Sequence, residues 1–328
     1  MRQTGPVVSP SEPEISVVVA TRNRAERLRR LLSSLREQTF PAENFEVLVI
    51  DDGSDDATGS VLANAQSHDG VALRGVRNER PRGPGASRNT GWRQARGRLI
   101  AFIDDDCEAA ADWLHAGWEA WRERPDVFVQ GMTSPNAGEE GELGPFAYTI
   151  RVERLGPHYE TCNIFYPRTM LDDLGGFDDQ AFPGGGEDCD LGWRAIEAGA
   201  SPVFAPAARA EHAVHTLGPL GQLRRAGHWT GTMLVFARHP GLRDAYLHNR
   251  VFWQVRHQML VRLLLAALLP RRLWTLRFLL AAPYFIHARQ RAHYERTSVL
   301  LTPYYLVHDL VEMFAVVRGA LRYRTVVI

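Results

Sequence analysis

Short apolar runs, each closed by polar or acidic residues and separated by amphipathic stretches, dominate the first third of the chain. Residues 15–20 (ISVVVA), 46–50 (EVLVI) and 99–103 (LIAFI) read as strands, with a further strand near 71–76. Leu28, Leu31, Leu32 and Leu35 recur at i, i+3, i+4 and i+7, which places one apolar stripe on a helix over 24–38. Further helices are expected near 86–96, over 112–122 and over 188–198, the last stopped by Gly199. Strands are also expected at 127–130 and 202–205, and another opens at Cys162-Asn163, while 133–160 reads as loop. Strands alternating with helices build a mostly parallel sheet covered by helices. Ligands of such sheets sit beyond the carboxyl ends of the strands. Asp52 and the run Asp104, Asp105, Asp106 fall on that rim.

The formal net charge is zero, yet the charges are divided. Residues 220–328 hold 16 Arg and four acids, and residues 1–219 hold the remaining 22 Arg and 34 acids, so the two parts carry about +12 and −12. Every basic residue is Arg, which excludes Schiff-base lysine chemistry. Three cysteines, Cys107, Cys162 and Cys189, are too few and too scattered for a disulfide framework. With no signal-peptide pattern, a reducing, cytoplasmic setting is expected. Residues 1–13, rich in Pro and Ser and without periodicity, read as a disordered leader.

Beyond residue 217 the chain turns to long helices dense in Leu, Arg and aromatic residues, at roughly 219–237, 242–268, 271–291 and 303–322. No uncharged apolar run reaches the roughly 18 residues of a spanning helix, because Arg262, Arg277, Asp309 and Glu312 interrupt the best candidates. A cationic amphipathic helix can instead lie in a membrane interface with its Arg residues near anionic headgroups. The plainer alternative is a helical domain packed on the α/β part.

Three successive aspartates serve folding poorly, since like charges about 4 Å apart repel by up to roughly 4 kcal/mol at an effective dielectric near 20. A bound divalent cation removes that penalty. Oxygen-rich sites suit Mg2+ or Mn2+, which also bridge two phosphates of a nucleotide. A solvated acidic turn is the bland alternative, and the position of the run between Phe102-Ile103 and the Trp113 helix weighs against it. Cys107 and Cys189 adjoin acidic motifs but lack the paired spacing of a zinc site and read as packing residues. Trp113 and Trp193 read as helix-packing residues as well.

The segments SVVVATRNR at 16–24, VIDDGS at 49–54, GASRNTG at 85–91, FIDDD at 102–106, GGFD at 175–178 and GEDCDL at 186–191 belong together by order and spacing. Over about residues 14–215 the set resembles the inverting family 2 glycosyltransferases with the GT-A fold. The resemblance implies a nucleotide-diphospho-sugar transferase fold, a mostly parallel central sheet flanked by helices, over 14–217. It stops before the helical, Arg-rich region 218–328. It further implies inverting transfer of a sugar from a nucleotide-diphospho-sugar donor to a hydroxyl of a glycan or lipid-linked acceptor, in polysaccharide or glycolipid assembly, with Mn2+ or Mg2+.

Carried over by motif, Asp52 would bond the donor's base, with Ala20, Thr21 and Arg22 lining the same pocket. Arg88 would lie near the donor phosphates or base, Asp104 near the ribose, and Asp105 with the donor. Asp106 would ligate the metal, joined by His212 or, with less support, His215. Asp188 would take the acceptor's proton, with Glu187 and Asn163 on the acceptor side, although a core role suits Asn163 equally. The first turn of a helix also favours negative charge at Glu187 and Asp188 by roughly 0.3–1 kcal/mol. The glycines at 184–186 would allow a loop to close over bound donor. The basic tail adds an anionic membrane surface as a partner and a peripheral place on its inner face; no nucleic acid is expected. Two rivals remain. A dinucleotide-dependent oxidoreductase needs glycines where residues 21–24 read TRNR, and a non-catalytic membrane-bound nucleotide-sugar-binding protein would have no need of every acid that is present.

Overall fold

The computed structural model describes residues 12–66, 70–182, 185–294 and 298–328. These residues group into one unit of 12–137, 150–182 and 187–213, and a second of 138–149, 185–186 and 214–328. Most of the expected leader, residues 1–11, and Gly184 of the glycine run lie outside the described residues. At the end of the expected leader Pro13 is buried, and the Glu14 N–H beside it donates to the Asn44 carbonyl.

In the first unit β1 (Ile15–Thr21), α1 (Ala25–Arg36), β2 (Phe45–Asp51), α2 (Thr58–Gln66), β3 (Ala72–Arg77), α3 (Pro84–Gln94) and β4 (Leu99–Ile103) alternate strand with helix. β5 (Cys107–Ala109), α4 (Trp113–Trp121) and β6 (Val127–Pro135) follow. After β7 (Ala147–Tyr148), which belongs to the second unit, come β8 (Asn163–Pro167), α5 (Arg168–Leu174), α6 (Glu187–Glu197) and β9 (Ser201–His212). Among the described residues eight strands form one sheet in the order β3-β2-β1-β4-β8-β6-β9-β5. β3, β2, β1 and β4 are parallel, β8 is antiparallel to both β4 and β6, β6 and β9 are parallel, and β5 is antiparallel to β9.

A strand covered on both faces needs apolar residues at successive positions, because neighbouring side chains point to opposite sides. In β1, Val17 and Val19 join the core shared with α1 and α4, and Val18 joins the core shared with α3 and α6. The expected stripe of α1, Leu28, Leu31, Leu32 and Leu35, is buried. Each such leucine contributes about 2 kcal/mol before chain entropy is subtracted.

Where the parallel order breaks, a buried amide ties the strands together. Asn163, expected on the acceptor side, is 0% exposed. Its Oδ1 accepts from Trp113 Nε1 at 2.8 Å, and its Nδ2 donates to the carbonyls of Met132 at 2.8 Å and Ala208 at 2.9 Å. An amide so enclosed cannot reach a substrate, and its acceptor-side assignment is corrected to a core role. Gly131 is required beside it, since a Cβ there would come within 2.2 Å of Asn163 Oδ1. A register shift between Gly131 and Met132 lets β6 and β9 keep pairing as far as Pro135 and His212, so β9 outruns the expected 202–205 and β6 enters the stretch expected as loop.

In the second unit β7 pairs antiparallel with β10 (His215–Thr216). Gln222 donates to the Ala147 carbonyl, and Arg225 stands over the Tyr148 ring at 3.5 Å. These contacts draw 138–149 into the company of α7 (Gly218–Ala226), α8 (Met233–Arg238), α9 (Pro240–Tyr246), α10 (Val255–Leu268), α11 (Trp274–Tyr294) and α12 (Thr302–Arg322). The expected helices 219–237 and 242–268 are broken into shorter ones by a tight turn over Gly227–Thr230 and by the stretch 247–254, and Pro240, between them, opens α9. Among the described residues one segment, Val299–Arg322, is long and apolar enough by length and composition to cross a bilayer. Its acids Asp309 and Glu312 broke the uncharged run in the sequence, and both are buried in α12.

Replacing Asn163 by Leu would strand three buried partners, each at a cost of roughly 1–3 kcal/mol when fully desolvated. The expected loss is about 3 kcal/mol in urea unfolding; a variant with the wild-type midpoint would show that the amide is no fastener.

Candidate active site

The carboxyl ends of β1, β2 and β4 lie along one edge of the sheet, and α3 begins beside them. An open cleft of about 440 Å³ there is lined by Ala20, Thr21, Arg22, Asp52, Arg88, Asp104 and Asp105, the residues expected at the donor. Arg24, Pro81, Arg82, Gly83, Pro84 and Ser87 complete the lining and were not singled out from sequence. Four arginines, Arg22, Arg24, Arg82 and Arg88, face three aspartates in this cleft, so it can receive a polyanion that also carries neutral polar groups.

Arg88, buried on α3, reaches in two directions. Its Nη2 donates to Asp104 Oδ1 at 2.7 Å and its Nη1 to Glu187 Oε1 at 3.0 Å. Burial alone would ease its proton loss, but the charges of Asp104 and Glu187 outweigh burial and raise its pKa. The bridge therefore joins the acid cluster to the first turn of α6. Glu187 Oε2 is buried and has no hydrogen-bond partner among the described residues. Asp188 follows, half-buried, and accepts the Cys189 N–H at 2.8 Å. Desolvation and then the charge of Glu187 push its carboxyl up to about 8, with Glu160 adding to the rise against the Cys189 N–H and Arg88.

In the acid cluster, Asp105 accepts from Thr21 Oγ1 at 2.7 Å and from Arg24 Nη1 at 2.9 Å. Burial raises Asp105, Arg24 pulls it down and Asp106 raises it again, leaving it at about 6. Arg24 Nη1 also reaches Asp106 Oδ2 at 2.5 Å. On the other side of that carboxylate, Asp106 Oδ1 lies 3.6 Å from His212 Nε2. His212 Nδ1 is 2.7 Å from the Ala213 carbonyl, which can only accept, so the ring hydrogen belongs on Nδ1. The Ile150 N–H approaches the same nitrogen at 3.4 Å and is the weaker contact. Nε2 then turns a lone pair toward Asp106, the orientation a metal-binding histidine takes when a carbonyl holds its other nitrogen. Cys107 Sγ belongs to the same group, whose ligand atoms all lie within 4.8 Å of one another. Burial raises its thiol well above the ordinary range, which keeps it protonated and in keeping with a packing role. His215 lies in the second unit, its ring stacked on Tyr148.

Asp52 is more heavily engaged than the sequence suggests. Its Oδ1 accepts from Asn78 Nδ2 at 2.7 Å and the Arg82 N–H at 2.9 Å, and its Oδ2 accepts the Gly83 N–H at 2.9 Å. Burial opposes its charge, and these bonds more than offset it, lowering the pKa. Gly83, with φ of +91°, gives the loop the backbone shape that aims its N–H at this carboxylate.

The sequence profile described as Glycosyl transferase family 2 matches residues 16–172, a span that holds Asp52, Arg88 and the acid cluster and stops before Glu187. The chain is 30% identical to glycosyltransferase AglE of Haloferax volcanii over 223 residues, 64% of this chain and 69% of that protein. It is 29% identical over 255 residues to the pre-mycofactocin glycosyltransferase of Mycobacterium tuberculosis, an alignment covering 72% of this chain and 50% of that protein. In three dimensions it is similar to the mannosyltransferase PcManGT from Pyrobaculum calidifontis, solved with GDP-Man and Mn2+. The TM-score is 0.63 over 97% of this chain and 90% of that chain, at 21% identity.

Removing one partner of a buried ion pair costs about 3–5 kcal/mol, because the other charge is left uncompensated. Arg88→Met is expected to lose about that much in urea unfolding, and the added change Glu187→Gln to restore part of it. Strictly additive losses in the double variant would show that Arg88 and Glu187 are not coupled.

Proposed function

The chain belongs to glycosyl transferase family 2 and is a glycosyltransferase of the GT-A fold, and on that premise we propose that it transfers a sugar, with inversion, from a nucleotide-diphosphate donor to an acceptor hydroxyl. The observation that carries this reading is the Arg88 bridge between Asp104 in the cleft and Glu187, the neighbour of Asp188. The family membership removes the oxidoreductase alternative.

In this reading Arg22, Arg24 and Arg88, with the start of α3, hold the donor's diphosphate. Asp104 and the residues at the end of β1 orient its nucleoside. Asp106 and His212 fit a divalent cation by chemistry, since a carboxylate and an imidazole suit Mn2+ and the pair faces one space across 3.6 Å. That cation, when bound, would neutralise charge on the departing diphosphate. The Pyrobaculum mannosyltransferase, similar in fold, was solved with GDP-Man and Mn2+, which is in keeping with a nucleotide-sugar donor and a divalent cation. Asp188 takes the proton of the acceptor hydroxyl as the new carbon–oxygen bond forms and the bond to the diphosphate breaks, and one displacement inverts the anomeric centre. A carboxyl held near 8 is a stronger base than an ordinary aspartate. The unpartnered Glu187 Oε2 suits a hydroxyl of a bound sugar. The Arg-rich second unit favours an acceptor met at the cytoplasmic face of a membrane, a lipid-linked or growing glycan.

Arg24 has a second part in this scheme. Its guanidinium already balances Asp105 and Asp106, so a cation must compete with it until a diphosphate offers it another anion. In thermal-shift measurements with uridine, guanosine and thymidine diphosphates, one nucleotide is expected to stabilise the protein only when Mn2+ is present. In Arg24→Gln, Mn2+ alone should stabilise more than in the wild type and the nucleotide less. The absence of any Mn2+-dependent nucleotide shift would remove the donor reading.

For the base, Asp188→Asn is expected to lower turnover by about 10²–10⁴-fold while leaving nucleotide binding largely intact. The base works only when deprotonated, so kcat/KM should rise with pH toward a limb near 8. Glu187→Gln removes a like charge and should move that limb to lower pH. Undiminished turnover in Asp188→Asn, or a limb in the ordinary carboxylate range, would sink the assignment.

A further inference from the structure

The second unit reverses the usual arrangement of a helical domain. On α12 the buried stripe carries Tyr305, Asp309, Glu312 and Val316. The stripe turned to solvent carries Val307, Phe314 and Leu321, each seven positions after the last. The acids meet a polar network within the unit. Arg256 of α10 pairs with Asp309 at 3.2 Å and with Glu312, and His257 Nε2 lies 3.0 Å from Glu312 Oε2. From α11, Tyr284 donates to Asp309 Oδ2 at 2.9 Å and Arg291 lies 3.4 Å from Asp309 Oδ1. This network supplies the cations for the group His308, Asp309 and Glu312, so its carboxylates need no metal ion.

Outside the network, α10 and α11 expose large apolar side chains where they meet. Leu268 is 82% exposed, Trp274 70% and Phe278 67%, with Leu265 and Leu279 also exposed. A water-soluble helical domain places charge outside and apolar residues inside. Charges gathered inside and leucine, phenylalanine and tryptophan outside are the order expected beside hydrocarbon. Arginines supply the second signal: Arg262, Arg271 and Arg272 are exposed around the α10–α11 junction. Residues 245–294 contain eight Arg and no acid at all.

We infer that the α10–α11 hairpin end, around Leu268 and Trp274, is a membrane-docking surface that seats its apolar side chains in the interface of an anionic bilayer with its arginines at the headgroups. Positive charge with no acid among it selects an anionic lipid surface over a second copy of this chain, whose same face would repel it. The inference deepens the membrane-side placement of the reaction by naming the partner and the face that meets it. The two fail separately, because vesicle binding is read without any sugar transfer.

The full chain is mixed with vesicles of phosphatidylcholine alone or with phosphatidylglycerol and separated by flotation. Binding to the anionic vesicles is expected, weakening with added salt, and little binding to the neutral ones. Leu268→Glu/Phe278→Glu should reduce anionic-vesicle binding at least about tenfold, and Arg271→Gln/Arg272→Gln by a comparable factor. Trp274 fluorescence, isolated as the difference from Trp274→Phe, should shift to the blue on binding. Nucleotide thermal shifts in each variant report that the fold and the donor cleft are intact. No flotation with anionic vesicles at low salt would overturn the inference, as would flotation untouched by the Glu substitutions. A wild-type dimer that the Glu substitutions turn into a monomer would overturn it too, by giving the face to a second copy.

Discussion

Carboxylates crowded onto the C-terminal edge of the sheet are held by arginine, and the rest of the site depends on that balance. Arg24 spans Asp105 and Asp106, and Arg88 spans Asp104 and Glu187. A guanidinium can do this because its fork presents donors in two directions within one plane, where an ammonium is a point charge. Two buried carboxylates without such a partner would each cost several kcal/mol. Paired, they stand ready as a set before any ligand arrives. At Asp106 the two oxygens are divided, Oδ2 held by Arg24 and Oδ1 turned toward His212.

The second unit applies the same ion-pair chemistry to another end. In the first unit the arginines keep acids together at an open cleft. In the second, Arg256 and Arg291 take Asp309 and Glu312 out of play. Burial works against ionisation of Glu312, yet the His257 hydrogen bond and the Arg256 charge pull it down to about 2. With Asp309 and Glu312 held inside, residues 245–294 carry arginine and no acid, and the outward faces of α10 and α11 are left apolar and positive. The opposite charges of the two parts of the sequence thus go with two arrangements: acids held by arginine at the rim of a cleft, and acids hidden within a helical unit.

The sequence made the central strands legible because β1, β2 and β4 are covered on both faces and so read as nearly continuous apolar runs, interrupted by Ser16 in β1 and Glu46 in β2. It made α1 legible through its leucine stripe. What it concealed was short or broken. β5 has three residues and α5 seven, too few to show a period. β9 carries Pro202 and Pro206 and pairs across a register shift, so its twelve residues do not alternate cleanly. The donor-side residues were legible as motifs at strand ends, and they line one cleft. Arg24 lay within the same motif as Arg22 and gave no local sign that it faces aspartates 81 and 82 positions away. Asn163 stayed open between the acceptor side and the core for the converse reason. A polar residue beside a strand reads as a ligand contact until the partners of its amide are known, and Trp113, Met132 and Ala208 are all distant in sequence.

Asp52 shows how a residue's type and its availability can diverge. A carboxylate offers about four lone-pair positions, and N–H groups of Asn78, Arg82 and Gly83 already take at least three of them. The Arg82 N–H also lies 3.1 Å from Oδ2, so at most about one position remains for a nucleobase. The stronger effect of Asp52 is then on the loop itself. It folds residues 78–83 across the rim and sets Gly83 at the start of α3, where Ser87 and Arg88 enter the cleft. If a base does bond there, it meets a carboxylate whose geometry the protein backbone has already set. Recognition at this position would then depend on the shape of the loop at least as much as on the charge of the acid.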